Sequence, residues 1–344
     1  MIPTGPLIRL GLAIGALDRR PAGELTHLVR VAEDAGFEMV LVAEAWGRDA
    51  FVTLGSLASR TERIRLGTGI VNVYSRSPAA IAMAAATLDD LSGGRAVLGL
   101  GVSGKAVIEG WHGTPMDRPL RRLRETTEAV RAVVRRDRAG YAGETIRVGP
   151  SFALAFHAPR ERIPIYHACL TPAAIRQCGE IADGWLPYLL TTDTLRSDLR
   201  SIEAGLRAAG RDRAHFTVAT FVPALVADDA AAARSRLRHH IAFYVGAMGR
   251  FYHEVISRQG HAEAADRVRA EWQAGRRDAA VDAVPDELVD ALAVCGPPER
   301  CRAKLEELAG AGADIAVVYL PESAERDEAE RTLRALGALV SAAP

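Results

Sequence analysis

Short apolar runs alternate with longer amphipathic ones along the whole chain. Ile8 to Ala16 (IRLGLAIGA), Glu38 to Glu44 (EMVLVAE), Ile64 to Ile70 (IRLGTGI) and Ala96 to Leu100 each read as a buried strand. Near-continuous apolar stretches of this length, bounded by turn residues, fit strands covered on both faces. Helical spacing fills the intervals. Ala22 to Gly36 sets Leu25, Leu28, Val29 and Ala32 on one face and stops at Gly36; Phe51 to Arg60 turns Leu54, Leu57 and Ala58 inward. Pro78 opens a helix that runs to Leu91 and ends at Gly93-Gly94, and Arg118 to Arg136 is a long basic amphipathic helix.

The pattern then changes. Tyr141 to Val148 and Phe152 to His157, joined by Gly149-Pro150, predict an inserted β-hairpin. Strand and helix resume as Ile163 to Ala168, Pro172 to Ala182, Gly184 to Tyr188, Thr194 to Ala209 and Phe216 to Val226. Residues 228–293 are polar and helical, too long for one crossover helix, and predict a helical cap. A penultimate helix carries Leu305, Leu308 and Ala309, Asp314 to Leu320 is the last strand, and Glu325 to Val340 closes the chain. Eight apolar strands alternating with helices predict an α/β fold of the (β/α)8 TIM-barrel type, favoured over an open doubly wound sheet. The reading is one domain over residues 1–344, with insertions at about 137–162 and 228–293.

Composition narrows the function. Lys plus Arg and Asp plus Glu each number 43, so no global basic field points to nucleic acid. The apolar runs are far too short to span a bilayer, and the N-terminal MIPTGPLIRLGLAIG lacks a signal-peptide pattern, which predicts a cytoplasmic protein. Cys169, Cys178, Cys295 and Cys301 match no zinc spacing and are expected as reduced, buried thiols; no metal site is expected.

A barrel puts chemistry at the C-terminal ends of its strands. Gly99, Gly101 and Gly104 spell G-x-G-x-x-G there, but they follow the fourth strand, and no second strand ends in an acid about 20 residues on. Two other readings stand beside the dinucleotide one: a tight turn that needs small residues, and glycines that let a flat cofactor approach backbone. Glu44 ends an apolar strand, so it is either ion-paired to Arg48 or Arg76 or in polar contact with a ligand. Trp46 beside it is rim packing or a stacking wall. Thr171-Pro172 reads as an N-cap followed by proline, which accounts for the pair, although a helix N-terminus at this face also suits an anion. Glu109 and His112 flank Trp111 in a glycine-bounded loop. His239-His240 is read as lying on a solvated helix. H-E-x-x-H, G-x-S-x-G and Walker patterns are absent.

The stretches VLVAEAWGRDAF, TERIRLGTGIVNVYSRSPAAIAMAAATLDDLSGGRAVLGLGVSGKAVIEGWHG and CGEIADGW resemble the bacterial luciferase-like superfamily, in particular its coenzyme F420 (deazaflavin)-dependent oxidoreductase branch, similar to methylenetetrahydromethanopterin reductase. The resemblance covers about residues 8–340. It implies a homodimeric barrel with the cofactor at the C-terminal face and a non-prolyl cis peptide at Gly69-Ile70 behind the cofactor ring. It further implies Glu44 beside the deazaflavin, Ser103 and Gly104 near its ring or ribityl chain, and Leu170 and Thr171 at its phosphate end. Thr171 stands where a glycine is usual, and Lys105-Ala106 where Pro-Gln is common.

The expected activity is hydride transfer between F420 and a small organic substrate. Glu109, His112 and Trp46 are the candidate catalytic residues, with Glu109 or His112 handling the proton and Trp46 standing at the cofactor, while Phe243, Tyr244, Phe251 and Tyr252 of the cap cover the substrate. An FMN-dependent luciferase-like monooxygenase is the alternative, and a catalytically silent flavin-binding barrel is a third reading.

Overall fold

The computed structural model describes residues 8–341, so the first seven of the fifteen residues on which the signal-peptide reading rests lie outside the described part. Eight parallel strands alternate with helices, the arrangement of a (β/α)8 barrel: β1 Arg9–Ala13, β2 Met39–Val42, β3 Arg65–Thr68, β4 Ala96–Gly101, β5 Ile165–Ala168, β6 Gly184–Trp185, β7 Thr217–Val226 and β8 Ile315–Tyr319. The chain divides into two compact units, one of residues 38–186 and 200–217 and the other of 1–37, 187–199 and 218–344.

In the first unit β2 to β6 lie in sequence order, each parallel to the next. Their burial explains the unbroken apolar sequence: all of β2 and all of β4 are inaccessible to solvent. Helices α1 Ala22–Asp34, α2 Ala50–Ala58, α3 Pro78–Leu91, α4 Pro119–Val134 and α5 Pro172–Ile181 follow β1 to β5. Asp49 and Ser77 cap α2 and α3 by accepting from the Val52 and Ala80 amides. In the second unit β8 pairs with both β7 and β1. The 228–293 insertion is helical as expected, with Ala230–Ala247, Phe251–Ile256, Ala262–Gln273, Arg277–Asp282 and Asp286–Leu292. A short strand at Val294–Gly296, parallel to β7, was not anticipated.

The expected hairpin is placed differently. Tyr141–Ala142 pairs antiparallel with Arg147–Val148 across a turn at 143–146, and 152–157 carries no strand. The cause is Glu125 on α4. Its buried carboxylate accepts from the amides of Glu144 (2.9 Å), Thr145 (2.7 Å) and Ile146 (3.0 Å) and from the Thr145 hydroxyl (2.7 Å). A Cβ at Gly143 would lie 2.5 Å from that carboxylate, so only glycine fits the turn. Burial pushes the Glu125 carboxyl up, but the four donors outweigh it and hold it below its ordinary value. A carboxylate some twenty residues away therefore overrides the local Gly149-Pro150 turn signal.

All four cysteines are free and buried. Among the described residues no helix is long and apolar enough to cross a membrane, and no three His, Cys, Asp or Glu side chains are grouped to hold a metal.

Candidate active site

The strand ends of the first unit converge on a backbone irregularity between β3 and β4. Leu66 and Gly67 pair with Ala96 and Val97, and the pairing resumes with Val71 and Asn72 against Leu100 and Gly101. Residues 68 to 70 thus oppose only 98 and 99, which makes a bulge. The Thr68 hydroxyl repairs the ladder, donating to the Gly99 carbonyl (2.7 Å) and accepting from its amide (2.9 Å). The Gly69-Ile70 peptide is cis. Its flanks are tied to β2 and the residues that follow it, Gly69 N–H to the Val42 carbonyl (2.8 Å) and Glu44 N–H to the Ile70 carbonyl (3.0 Å).

These contacts resolve the G-x-G-x-x-G spelling. A Cβ at Gly99 would sit 2.0 Å from the Thr68 carbonyl oxygen, and one at Gly101 3.1 Å from Ile70 Cγ1. The first two glycines therefore serve the bulge. Gly104 is different: nothing lies within 4 Å of a Cβ built there, and its φ lies outside the left-handed region. The turn itself is made by Ser103, at φ 59°.

Glu44 is ion-paired with Arg76. Arg76 grips both carboxylate oxygens (Nε to Oε1 2.8 Å, Nη2 to Oε2 2.9 Å), and the Ala50 amide adds a third bond at 3.1 Å. The same guanidinium reaches Asp49 and lies 5.4 Å from the Phe51 ring centroid. Bonding to Glu44 raises Arg76 above its ordinary value. Burial pushes the Asp49 carboxyl up, and the Val52 amide and Arg76 outweigh it and hold it low. Trp46, 52% exposed, projects from the same loop.

Beyond Gly104 the chain makes one π-helical stretch, Ala106–Trp111. Both Glu109 oxygens have partners, the Met116 amide at 3.3 Å and Lys105 Nζ at 3.4 Å, and these long contacts brace the loop. His112 Nε2 is buried and has no hydrogen-bond partner. Asn72 is in the same condition. Fully buried, it spends Oδ1 on the amides of Tyr74 (3.0 Å) and Ser75 (2.7 Å) and leaves Nδ2 without one. Sequence reasoning passed over Asn72, although an amide inside the apolar run IVNVY is a signal.

After β5, Leu170 is buried and Thr171 occupies the N-cap position of α5. The capping expectation fails here: the Thr171 side chain makes no capping bond. The first-turn amides of α5 lack the usual hydroxyl acceptor, which preserves the anion-binding character of a helix N-terminus. His167, on β5, is a core residue; its Nε2 bonds the Thr127 hydroxyl at 2.8 Å, and burial pulls it down to about 3.

The second unit carries an aromatic cluster assembled from distant stretches. Tyr188 lies edge-on to Tyr244 (4.7 Å between centroids), Tyr252 (5.8 Å) and Phe221 (5.8 Å), and His240 packs against Tyr319 at 4.4 Å. A Cβ at Gly15 would meet the Tyr319 hydroxyl, so glycine at the end of β1 makes room for it. His240 is therefore not on a solvated face. Its Nε2 meets the Tyr188 hydroxyl, and burial, aided by His239, pulls it down to about 3. Burial keeps the Tyr188 phenol protonated. All four cap aromatics reach this cluster: Tyr244 and Tyr252 lie against Tyr188, Phe243 is edge-on to Tyr244 (5.4 Å) as well as to Trp272, and the more exposed Phe251 is edge-on to Tyr252 (5.6 Å).

Residues 8–314 match the family described as luciferase-like monooxygenase. The chain belongs to that family. Among its relatives is a Mycobacterium tuberculosis protein whose name assigns it provisionally to the coenzyme F420-dependent oxidoreductases, 37% identical over 90% of this chain and 94% of its own. The 5,10-methylenetetrahydromethanopterin reductase of Methanolobus tindarius is 30% identical over 90% of this chain and 94% of its own. The solved F420-dependent tetrahydromethanopterin reductase of Methanopyrus kandleri superposes with a TM-score of 0.84 at 25% identity, covering 96% of this chain and 97% of that one. The likeness agrees with the (β/α)8 assignment. In this luciferase-like chain the predicted residues Glu44, Gly69, Ile70, Ser103, Gly104, Leu170 and Thr171 all stand on strand-end segments of one unit, and Glu109 and His112 lie on the loop after β4.

Proposed function

We propose that this chain is an F420-dependent oxidoreductase that moves a hydride between the deazaflavin and a small organic substrate, acting as a single barrel domain in a homodimer. The carrying observation is the likeness to an F420-dependent reductase along nearly the whole chain. Fit to the cofactor is supported by open space at Gly104, an uncapped helix N-terminus at Thr171, and two buried polar atoms without partners, Asn72 Nδ2 and His112 Nε2.

When bound, the deazaflavin supplies a hydride acceptor or donor at its C5. The residues of this chain supply the rest. The bulge at Gly69-Ile70 backs the ring, and Ser103 and Gly104 offer backbone against which a flat molecule can lie. Thr171, with the amides that open α5, receives the phosphate, and Leu170 lines the approach. Glu44 acts with Arg76 as a preformed polar wall, and Trp46 provides a stacking surface. His112 is the better proton carrier of the two candidates, because its Nε2 has no competing partner while Glu109 is committed to Met116 and Lys105. Turnover of F420 by the purified protein across imines, activated alkenes and secondary alcohols tests this reading. Oxygen consumption with reduced FMN, and none of these F420 reactions, would assign the monooxygenase chemistry instead.

A further inference from the structure

The strands of the first unit also have N-terminal ends, and these surround a cleft of about 670 Å³. Arg65 opens β3, Pro164 and Asp183 immediately precede β5 and β6, and Arg162, Arg211 and His215 complete the wall. None of these residues belongs to the site proposed above, which lies at the opposite ends of the same strands.

Counting Arg131, which grips Asp183 without itself lining the cleft, four guanidiniums meet three carboxylates, Asp183, Asp212 and Glu38. One carboxylate, Asp183, receives three guanidiniums: Arg131 at 2.8 Å, Arg211 at 3.4 Å and Arg162. Its Oδ2 also accepts the Ile165 amide at 3.0 Å. Arg65 is matched by Glu38 at 2.9 Å and holds its other arm 3.4 Å from the Tyr166 hydroxyl. Asp212 spends an oxygen capping the Ala214 amide, and even with its charge counted the arginines remain in excess. Burial, and behind it the charges of Arg131 and Arg162, push Arg211 below its ordinary value against the pull of Asp183. Arg131 Nε is buried with no partner.

A structural hub accounts for part of this. Arg131 also bonds the Ile181 carbonyl (2.6 Å) and Arg211 the Gly179 carbonyl (3.0 Å), so both pin α5 to the strand that follows it. Arg162 has no such second role: its side chain is 65% exposed and it arrives as the third cation on an already paired carboxylate. Exposed arginines gain little from such a pair. Their planar donor fork suits an oxyanion.

We propose that this cleft binds the phosphate group of a small anionic molecule, held by Arg162 and Arg211 with His215 and the Tyr166 hydroxyl at its edge. The class is a free phosphate ion or a phosphate monoester. The site is separate from the cofactor's phosphate end at Thr171, so its ligand is an effector or a stabilising ion rather than a reactant.

Calorimetric titration of the intact protein with inorganic phosphate, and separately with glycerol phosphate, tests it at low ionic strength with chloride as the control anion. Saturable binding is expected that weakens about tenfold or more in Arg162→Gln, the loss of one charge-assisted contact. His215→Gln, an exposed position whose fold is not at risk, should weaken it to a smaller degree. Tighter binding of inorganic phosphate identifies the free ion, and tighter binding of the ester identifies a metabolite. Absence of saturable binding to the wild type, or phosphate affinity unchanged in both variants with circular dichroism intact, overturns the proposal.

Discussion

Arg76 holds Glu44 through two parallel hydrogen bonds of 2.8 and 2.9 Å while its guanidinium also reaches Asp49. The pair is mostly buried at the end of β2, so removing one member strands the other. Arg76→Ala is expected to cost about 2–3 kcal/mol in urea unfolding, whereas Arg76→Lys, which keeps the charge but not the fork, should lose less. Equal stability of Arg76→Ala and the wild type would show that the pair is solvated.

Two glycines of one motif should behave oppositely. Gly99→Ala forces a methyl group into the Thr68 carbonyl oxygen and is expected to destabilise the fold by about 3 kcal/mol or more. Gly104→Ala meets open space and should leave the melting temperature unchanged while weakening cofactor binding. Thermal melts and a cofactor titration of both variants separate the two roles; a cofactor affinity untouched by Gly104→Ala would remove that residue from the site.

Acid should destabilise the protein well above the pH at which most carboxylates titrate. His167 and His240 are held near 3 in the folded chain and return toward 6.5 when it unfolds. Between those values the unfolded chain binds the extra protons, so stability is full above about pH 6.5 and falls as pH drops toward 3, by at most about 1.4 kcal/mol per pH unit for each histidine. Urea midpoints measured from pH 7.5 to 5 should show this slope, and His240→Gln should flatten it by about half. Glu125 adds a lower step: its folded carboxyl lies below 4.5, so its contribution is present above that pH and is lost as pH falls through the folded value. Glu125→Gln should remove only that lower step.

The proton carrier is separable from the cofactor site. His112→Ala is expected to cut turnover about a hundredfold or more with cofactor affinity retained, and Glu109→Gln to cut it far less. The reverse order would mean that Glu109 leaves its loop contacts during the reaction.

The barrel was legible because its strands are buried on both faces, which writes them as apolar runs such as Met39 to Val42. The paired glycines and the Glu44–Arg76 ion pair were also within reach, since an acid closing an apolar strand demands a partner. The turn at 143–146 was not, because Glu125 fixes it from another element. The Tyr188–His240 contact escaped for the same reason: it joins residues 52 positions apart, and an adjacent histidine pair on a polar helix looks solvated until the tyrosines are placed around one member. Thr171 shows a third kind of miss. Its residue type and position fit a cap, but side-chain direction is a rotamer choice that sequence does not display.

Equilibrium titration of the purified protein with F420 and with FMN decides the identity of the cofactor. Saturable binding of F420 at one site per chain, weakened in the Gly104→Ala variant and much tighter than that of FMN, is the expected result. Tight FMN binding with no measurable F420 binding would make the chain an FMN protein instead.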